Sequence, residues 1–110
     1  MSYSKGDIIL LPYPFSDLKS SKVRPAVVVA AADGRYADLF VVPITSRVSN
    51  LNNGEFIISD WAQAGLNVVS AIKRGCVLVD AALIKLKVGV LPQQDIANLN
   101  KALRSWLELQ

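Results

Sequence analysis

Apolar residues fall along this chain in short bursts separated by turn-forming residues, and their spacing changes only near the C-terminus. Ile8-Ile9-Leu10-Leu11 is a continuous apolar run between Lys5-Gly6-Asp7 and the pair Pro12 and Pro14. A run that short between breakers predicts a buried first strand leading into a loop from Pro14 to Val23. Ala26-Val27-Val28-Val29-Ala30 and Asp38-Leu39-Phe40-Val41-Val42 are rich in β-branched and aromatic residues and flank Asp33-Gly34. That dipeptide tolerates the positive φ of a hairpin turn, so the two segments are predicted to pair as antiparallel neighbours. Asn52-Asn53-Gly54 predicts a further turn before Glu55-Phe56-Ile57-Ile58, and Val68-Val69-Ser70-Ala71-Ile72 and Val77-Leu78-Val79 supply more strand material. Between these, Asp60 with Gln63 three residues later predicts one capped helical turn ending at Gly65.

Ile84-Lys85-Leu86-Lys87-Val88 alternates with period two, which predicts a strand with one buried face and with Lys85 and Lys87 sharing the other as a solubilising edge. The period then lengthens. Pro92 suits the first position of a helix, Asp95 complements the helix N-terminal dipole, and Ile96, Leu99, Leu103 and Trp106 recur every three or four residues. The prediction is an amphipathic C-terminal helix whose apolar stripe packs on a sheet. No repeat, low-complexity tract or linker interrupts the pattern, so residues 1–110 are expected to form a single domain, mainly β with helices, a small α+β fold.

Composition narrows what such a domain can do. Apolar residues make up 52% of the 110 residues, enough for a packed core and too much for a disordered chain. No stretch approaches the roughly 20 apolar residues of a membrane span, and the N-terminal residues lack a signal-peptide plan, so the expected location is cytoplasmic. Histidine is absent and Cys76 is the one cysteine. Those two facts exclude Ser-His-Asp and Cys-His catalysis, imidazole metal sites, a paired-histidine ribonuclease, an internal disulfide and a cysteine-built zinc site. Neither a metal nor a cofactor is expected. Lys and Arg exceed Asp and Glu by 12 to 9, a balance that tolerates a polyanionic partner without demanding one.

Candidate chemistry gathers at the ends of the predicted hairpin. Arg24 precedes Pro25, which biases its backbone toward an extended conformation and launches its side chain where the long loop enters a strand. Thr45-Ser46-Arg47 closes the partner strand, and a hairpin turning at Asp33-Gly34 brings its far ends side by side, so Arg24 and Thr45 can face one anion. The plain alternatives are a solvated arginine at a strand edge and a strand-end threonine bonded to its neighbouring backbone. The first loop carries Phe15, Lys19, Ser20, Ser21 and Lys22, a basic and flexible set with one aromatic face.

The opening Lys5-Gly6-Asp7-Ile8-Ile9-Leu10-Leu11-Pro12-Tyr13-Pro14-Phe15-Ser16-Asp17-Leu18, followed by Lys22-Val23-Arg24-Pro25-Ala26-Val27-Val28-Val29, resembles that of MazF/PemK-like toxins. A second match lies at Val42-Pro43-Ile44-Thr45-Ser46, and weaker similarity runs through Trp61 to Leu66, Ser70 to Lys73, and Gly89 to Leu91. This resemblance implies a strongly curved β-barrel of SH3-like type, related to gyrase-poison toxins, in a homodimer with RNA in an interface groove. It further implies an endoribonuclease of a toxin–antitoxin system that cuts single-stranded RNA without a metal, through attack of a ribose 2′-hydroxyl on the adjacent phosphorus. Arg24 and Thr45 match the family's catalytic pair. Phe15, Lys19, Ser20, Lys22, Ser46 and Arg47 are then expected to bind RNA, and the antitoxin to thread a disordered acidic segment into the same groove. Where family members often carry an acidic residue, Lys73 is followed by Arg74, Gly75 and Cys76, so no role comes to Lys73 from the resemblance. The rival readings are a non-enzymatic gyrase poison on the same fold and an inactive SH3-like binding module.

Overall fold

The computed structural model describes residues 2–12, 22–32 and 37–109. Most of the expected first loop, and the Asp33-Gly34 turn, lie outside the described residues. Among the described residues, seven strands precede one helix: β1 Asp7–Pro12, β2 Val23–Ala32, β3 Asp38–Thr45, β4 Phe56–Ile57, β5 Ala71–Ile72, β6 Val77–Asp80, β7 Leu86–Val90 and α1 Gln93–Trp106, with a short 3-10 turn at Ala81–Leu83. All neighbouring strands are antiparallel, in the order β4-β5-β3-β2-β1-β7, and β6 also pairs with β3. The result is a mostly β, curled half-barrel sheet with a C-terminal helix, as expected. Among the described residues no helix is long and apolar enough to cross a membrane.

The apolar runs of the central strands are continuous because both sides of the sheet are covered. Ile8, Val27, Val42 and Ile44 join one buried cluster, which Leu99 of α1 completes and on which Ile96, Leu103 and Trp106 pack. Their alternate neighbours Ile9, Leu11, Ala26, Val28, Leu39 and Val41 form a second cluster on the opposite face, packed by Tyr3, Val79, Ala81 and Ile84. Side chains in a strand point alternately to the two faces, so each central strand feeds both cores.

The helix side is tied down by polar contacts that the apolar pattern does not contain. Asp95 is buried, and its two carboxylate oxygens accept the Ser59 backbone N–H at 3.2 and 3.1 Å while the Ser59 hydroxyl donates to one of them at 2.8 Å. It sits in the first turn of α1 as expected, yet reaches across to the turn after β4. Pro92 takes the N-cap position, one residue before the place predicted for it: its ψ of 152° is extended, and its carbonyl accepts the Asp95 and Ile96 N–H groups at 3.0 Å. At the other end the Trp106 indole N–H donates to the Asn53 carbonyl at 2.9 Å.

The capped turn after β4 forms as predicted. Gln63 N–H donates to the Asp60 side chain at 3.2 Å, and Gly65 closes the turn with φ of +94°. A methyl group on Gly65 would stand 2.1 Å from the Val88 carbonyl oxygen, and one on Gly89 would stand 1.9 Å from the Ala64 carbonyl oxygen. Two backbones cross there at a separation only glycine permits.

Three elements depart from the sequence pattern. The alternation at Ile84 to Val88 does not give one buried face, because Leu86 is 57% exposed. The β1–β7 register jumps from Ile8↔Gly89 to Ile9↔Lys87, leaving Val88 as an extra residue, so Ile84 packs on one cluster and Val88 on the other. Lys87 also does more than solubilise this edge, since its ammonium pairs with Asp7 at 3.2 Å. Of Val68 to Ile72 only Ala71–Ile72 joins the sheet. There the Ser70 hydroxyl donates to the Val68 carbonyl at 2.9 Å, curling the chain and leaving Val68 and Val69 exposed. The segment expected at Glu55 to Ile58 is likewise reduced to Phe56–Ile57.

Candidate functional site

Arg24 and Thr45 lie where the sheet's central hairpin opens. The β2–β3 ladder runs Val28↔Val41, Val27↔Val42 and Ala26↔Pro43. Two residues beyond that last pair stands Arg24 on β2, and two residues beyond it stands Thr45 on β3. Strand alternation puts Arg24 in the row of Ala26 and Val28 and Thr45 in the row of Val41 and Pro43, the face of the second cluster. Pro25 and Pro43 have no N–H to donate, which weakens pairing between the two strands beyond Ala26. Each strand is still held from its outer side, Arg24 opposite Leu11 of β1 and Thr45 opposite Ala71 of β5.

The two side chains differ in their surroundings. Arg24 is exposed, with Lys22 exposed just before it at the mouth of β2. Thr45 is half-buried, and its hydroxyl oxygen accepts the Arg47 N–H at 3.1 Å. That is the strand-end contact anticipated as the plain alternative, yet it uses only the oxygen as acceptor. The hydroxyl proton remains available to donate.

Beside Thr45 opens a hollow of about 360 Å³, walled by Arg47, the connection from Ser49 to Asn52, and Glu55 and Lys73. Its shape depends on Glu55. One carboxylate oxygen accepts the Asn52 N–H at 2.6 Å and the other accepts the Arg74 N–H at 2.8 Å, joining the connection after β3 to the segment after β5. The Glu55 N–H in turn donates to the Asn52 carbonyl at 3.0 Å, a reciprocal closure like that of a helix capping box. Partial burial pushes the Glu55 carboxyl up, but the Arg74 and Asn52 backbone N–H groups, the Arg74 charge and the Asn52 amide outweigh it and hold the carboxyl below its ordinary value. Glu55 is therefore ionised at neutral pH. Its clip is present above the ordinary carboxylate range and is lost only as pH falls through the lowered value.

Of the residues singled out from sequence, Thr45 and Arg47 share the hollow, Ser46 is exposed between them, and Arg24 and Lys22 stand outside it among the described residues. Phe15, Lys19 and Ser20 lie outside the described residues. Sequence reasoning missed Asn50, Asn52 and Glu55 and left the part of Lys73 open. For Asn52 and Glu55 a signal existed, an Asn with a Glu three residues later around a predicted turn. Burial pushes the Cys76 thiol up, keeping it from being a ready nucleophile. No group of three or more Cys, Asp or Glu among the described residues is gathered so as to hold a metal ion.

A family model for the PemK-like, MazF-like toxins of type II toxin–antitoxin systems matches residues 4–107. The chain belongs to this family. Two mycobacterial proteins are among the solved structures that share this fold. The Mycobacterium tuberculosis toxin MazF-mt6 superposes with a TM-score of 0.74 at 20% identity, over 94% of this chain and 98% of its own. A mycobacterial endoribonuclease in complex with its cognate antitoxin superposes with a TM-score of 0.75 at 13% identity, over 99% of this chain and 98% of its own. No curated protein matches the chain by sequence. MazF/PemK toxins are generally endoribonucleases, and against that background Arg24 and Thr45 gain their interest.

Proposed function

We propose that this MazF-like toxin is a sequence-selective endoribonuclease that cuts single-stranded RNA in the cytoplasm without a metal ion. The observation that carries this reading is the position of Arg24 and Thr45, equal steps past one ladder pair and on one face of the sheet. A phosphodiester seated there meets a planar guanidinium fork and a hydroxyl with a proton to give. The ribose 2′-oxygen attacks phosphorus, the bond to the 5′-oxygen breaks, and the products are a cyclic phosphate and a 5′-hydroxyl end. The 2′-hydroxyl releases its proton to solvent and the leaving oxygen takes one up from solvent, so the step is proton-neutral and water exchanges protons without acting as the nucleophile. Arg24 stabilises the charge that grows on the phosphate oxygens, a contact stronger in the transition state than in the ground state. Thr45 orients the phosphate or donates to the leaving oxygen. With no histidine in the chain, positioning and electrostatics carry the reaction.

The working form in this reading is a homodimer. Phe40 and Leu78 face each other across the β3–β6 ladder with 39% and 50% exposure, an apolar pair suited to a second copy. The mycobacterial endoribonuclease solved with its cognate antitoxin supports a comparable partner here, one that lays a disordered acidic segment along the cations around Arg24 and Arg47. The deciding experiment digests a long RNA with the purified protein in excess chelator. Cleavage should persist, and replacing the 2′-hydroxyl at the cut site with hydrogen should abolish it. Cleavage that stops with chelator and returns with magnesium would refute the mechanism.

A further inference from the structure

Thr45 lines one edge of the hollow, and the rest of its wall takes no part in the bond-breaking step just described. An RNA strand with its scissile phosphate at Thr45 can place a neighbouring nucleotide beside Arg47 and Lys73, the cations of the hollow's wall. At about 360 Å³ the space admits a flat ring system, and it is polar: asparagines, a serine and one carboxylate face it beside Leu51. Single-stranded RNA is read by drawing splayed bases into such recesses and bonding their edges.

Two features make this hollow suited to reading rather than merely holding. Asn50 adopts φ of +56°, a left-handed conformation that asparagine tolerates better than most residues, and among the described residues its amide makes no hydrogen bond. An amide offers a donor and an acceptor side by side, the complement of a base edge. Glu55 fixes the frame around it, because each carboxylate oxygen holds a backbone N–H from a different segment. We propose that the hollow is a subsite for one unpaired nucleobase next to the scissile phosphate, with the Asn50 amide reading the base edge and Glu55 acting as the positioning residue that sets the width of the recess. This assignment rests on the endoribonuclease reading and extends it to substrate choice.

The test digests a pool of long RNAs with randomised sequence and maps the cut ends. The wild type should prefer one base at a position flanking the cut. Asn50→Gly keeps a left-handed backbone at no steric cost and removes the amide together with its methylene. It should lower the ratio of preferred to non-preferred sites at that one position on the order of tenfold. Glu55→Gln leaves one N–H without its acceptor and should flatten the same position less. The ratio within one digest is independent of how much protein is folded, so a purely structural defect would not move it. An unchanged ratio in Asn50→Gly, however far total cleavage falls, overturns the proposal, as does a wild type that cuts without base preference. No cleavage by the wild type would instead overturn the endoribonuclease reading itself.

Discussion

Asp95 and Glu55 are both carboxylates that hold backbone N–H groups, and they do so in different settings. Asp95 is buried under α1 and binds the turn after β4 through Ser59. Glu55 faces an open hollow and binds two chain segments that enclose it. A buried carboxylate that loses its role leaves donors stranded away from water, whereas at a solvent-facing wall water can replace the lost bond. The helix side therefore carries stability, and the strand ends at Arg24 and Thr45 can vary their chemistry at small cost to folding.

Substitutions can break or sharpen that contrast. Leu99→Ala removes the α1 side chain that completes the first cluster and should destabilise the fold by about 3 kcal/mol in chemical denaturation, while cleavage per folded molecule stays unchanged. Arg24→Ala should do the reverse, lowering single-turnover cleavage on the order of a hundredfold with an unaltered denaturation midpoint. Arg24→Lys should recover little, since a point charge cannot form the bidentate fork. Thr45→Ala should follow Arg24→Ala in kind, and a near-wild-type rate would remove Thr45 from the site.

Asp95→Ala strands the Ser59 N–H and should cost about 2 kcal/mol of stability with full activity retained below the melting transition. A loss of activity there larger than the loss of folded protein would break the contrast between the two sides. The smallest effect is expected from Lys22→Ala, which should flatten the salt dependence of RNA binding by roughly 0.7 units of slope for the lost phosphate contact and leave stability alone. An unchanged slope would assign Lys22 to solubility.

The parts of this fold legible in sequence are those in which one residue type answers to one local demand. The continuous run at Ile8 announced a buried strand, the β-branched run at Ala26 announced one strand of a hairpin, and the spacing of Ile96, Leu99, Leu103 and Trp106 announced α1. That Arg24 and Thr45 stand at the same open end of one hairpin was legible, because antiparallel pairing brings the far ends of its strands side by side, whereas the register was not, since it shifts between Val28 and Ala30. What escaped depended on register and on reciprocal polar contacts. The extra residue at Val88, which leaves Leu86 outside both cores, is set by how β7 lies along β1 and leaves no trace in the period-two pattern. The hollow escaped for a related reason. It is assembled from a connection and the segment after β5, joined by Glu55 across 19 positions of sequence, and no local pattern encodes a bond of that span.

The indole of Trp106 ends this chain of contacts. Its N–H rests on the Asn53 carbonyl, one residue from the Asn52 that Glu55 holds, so a shift in the wall of the hollow reaches the indole within two hydrogen bonds. Indole emission responds to the hydrogen bonding and polarity around the ring, and the chain has only two tryptophans. Trp61→Phe would leave Trp106 as a built-in optical reporter, whose colour follows occupancy of the hollow in real time without any attached label.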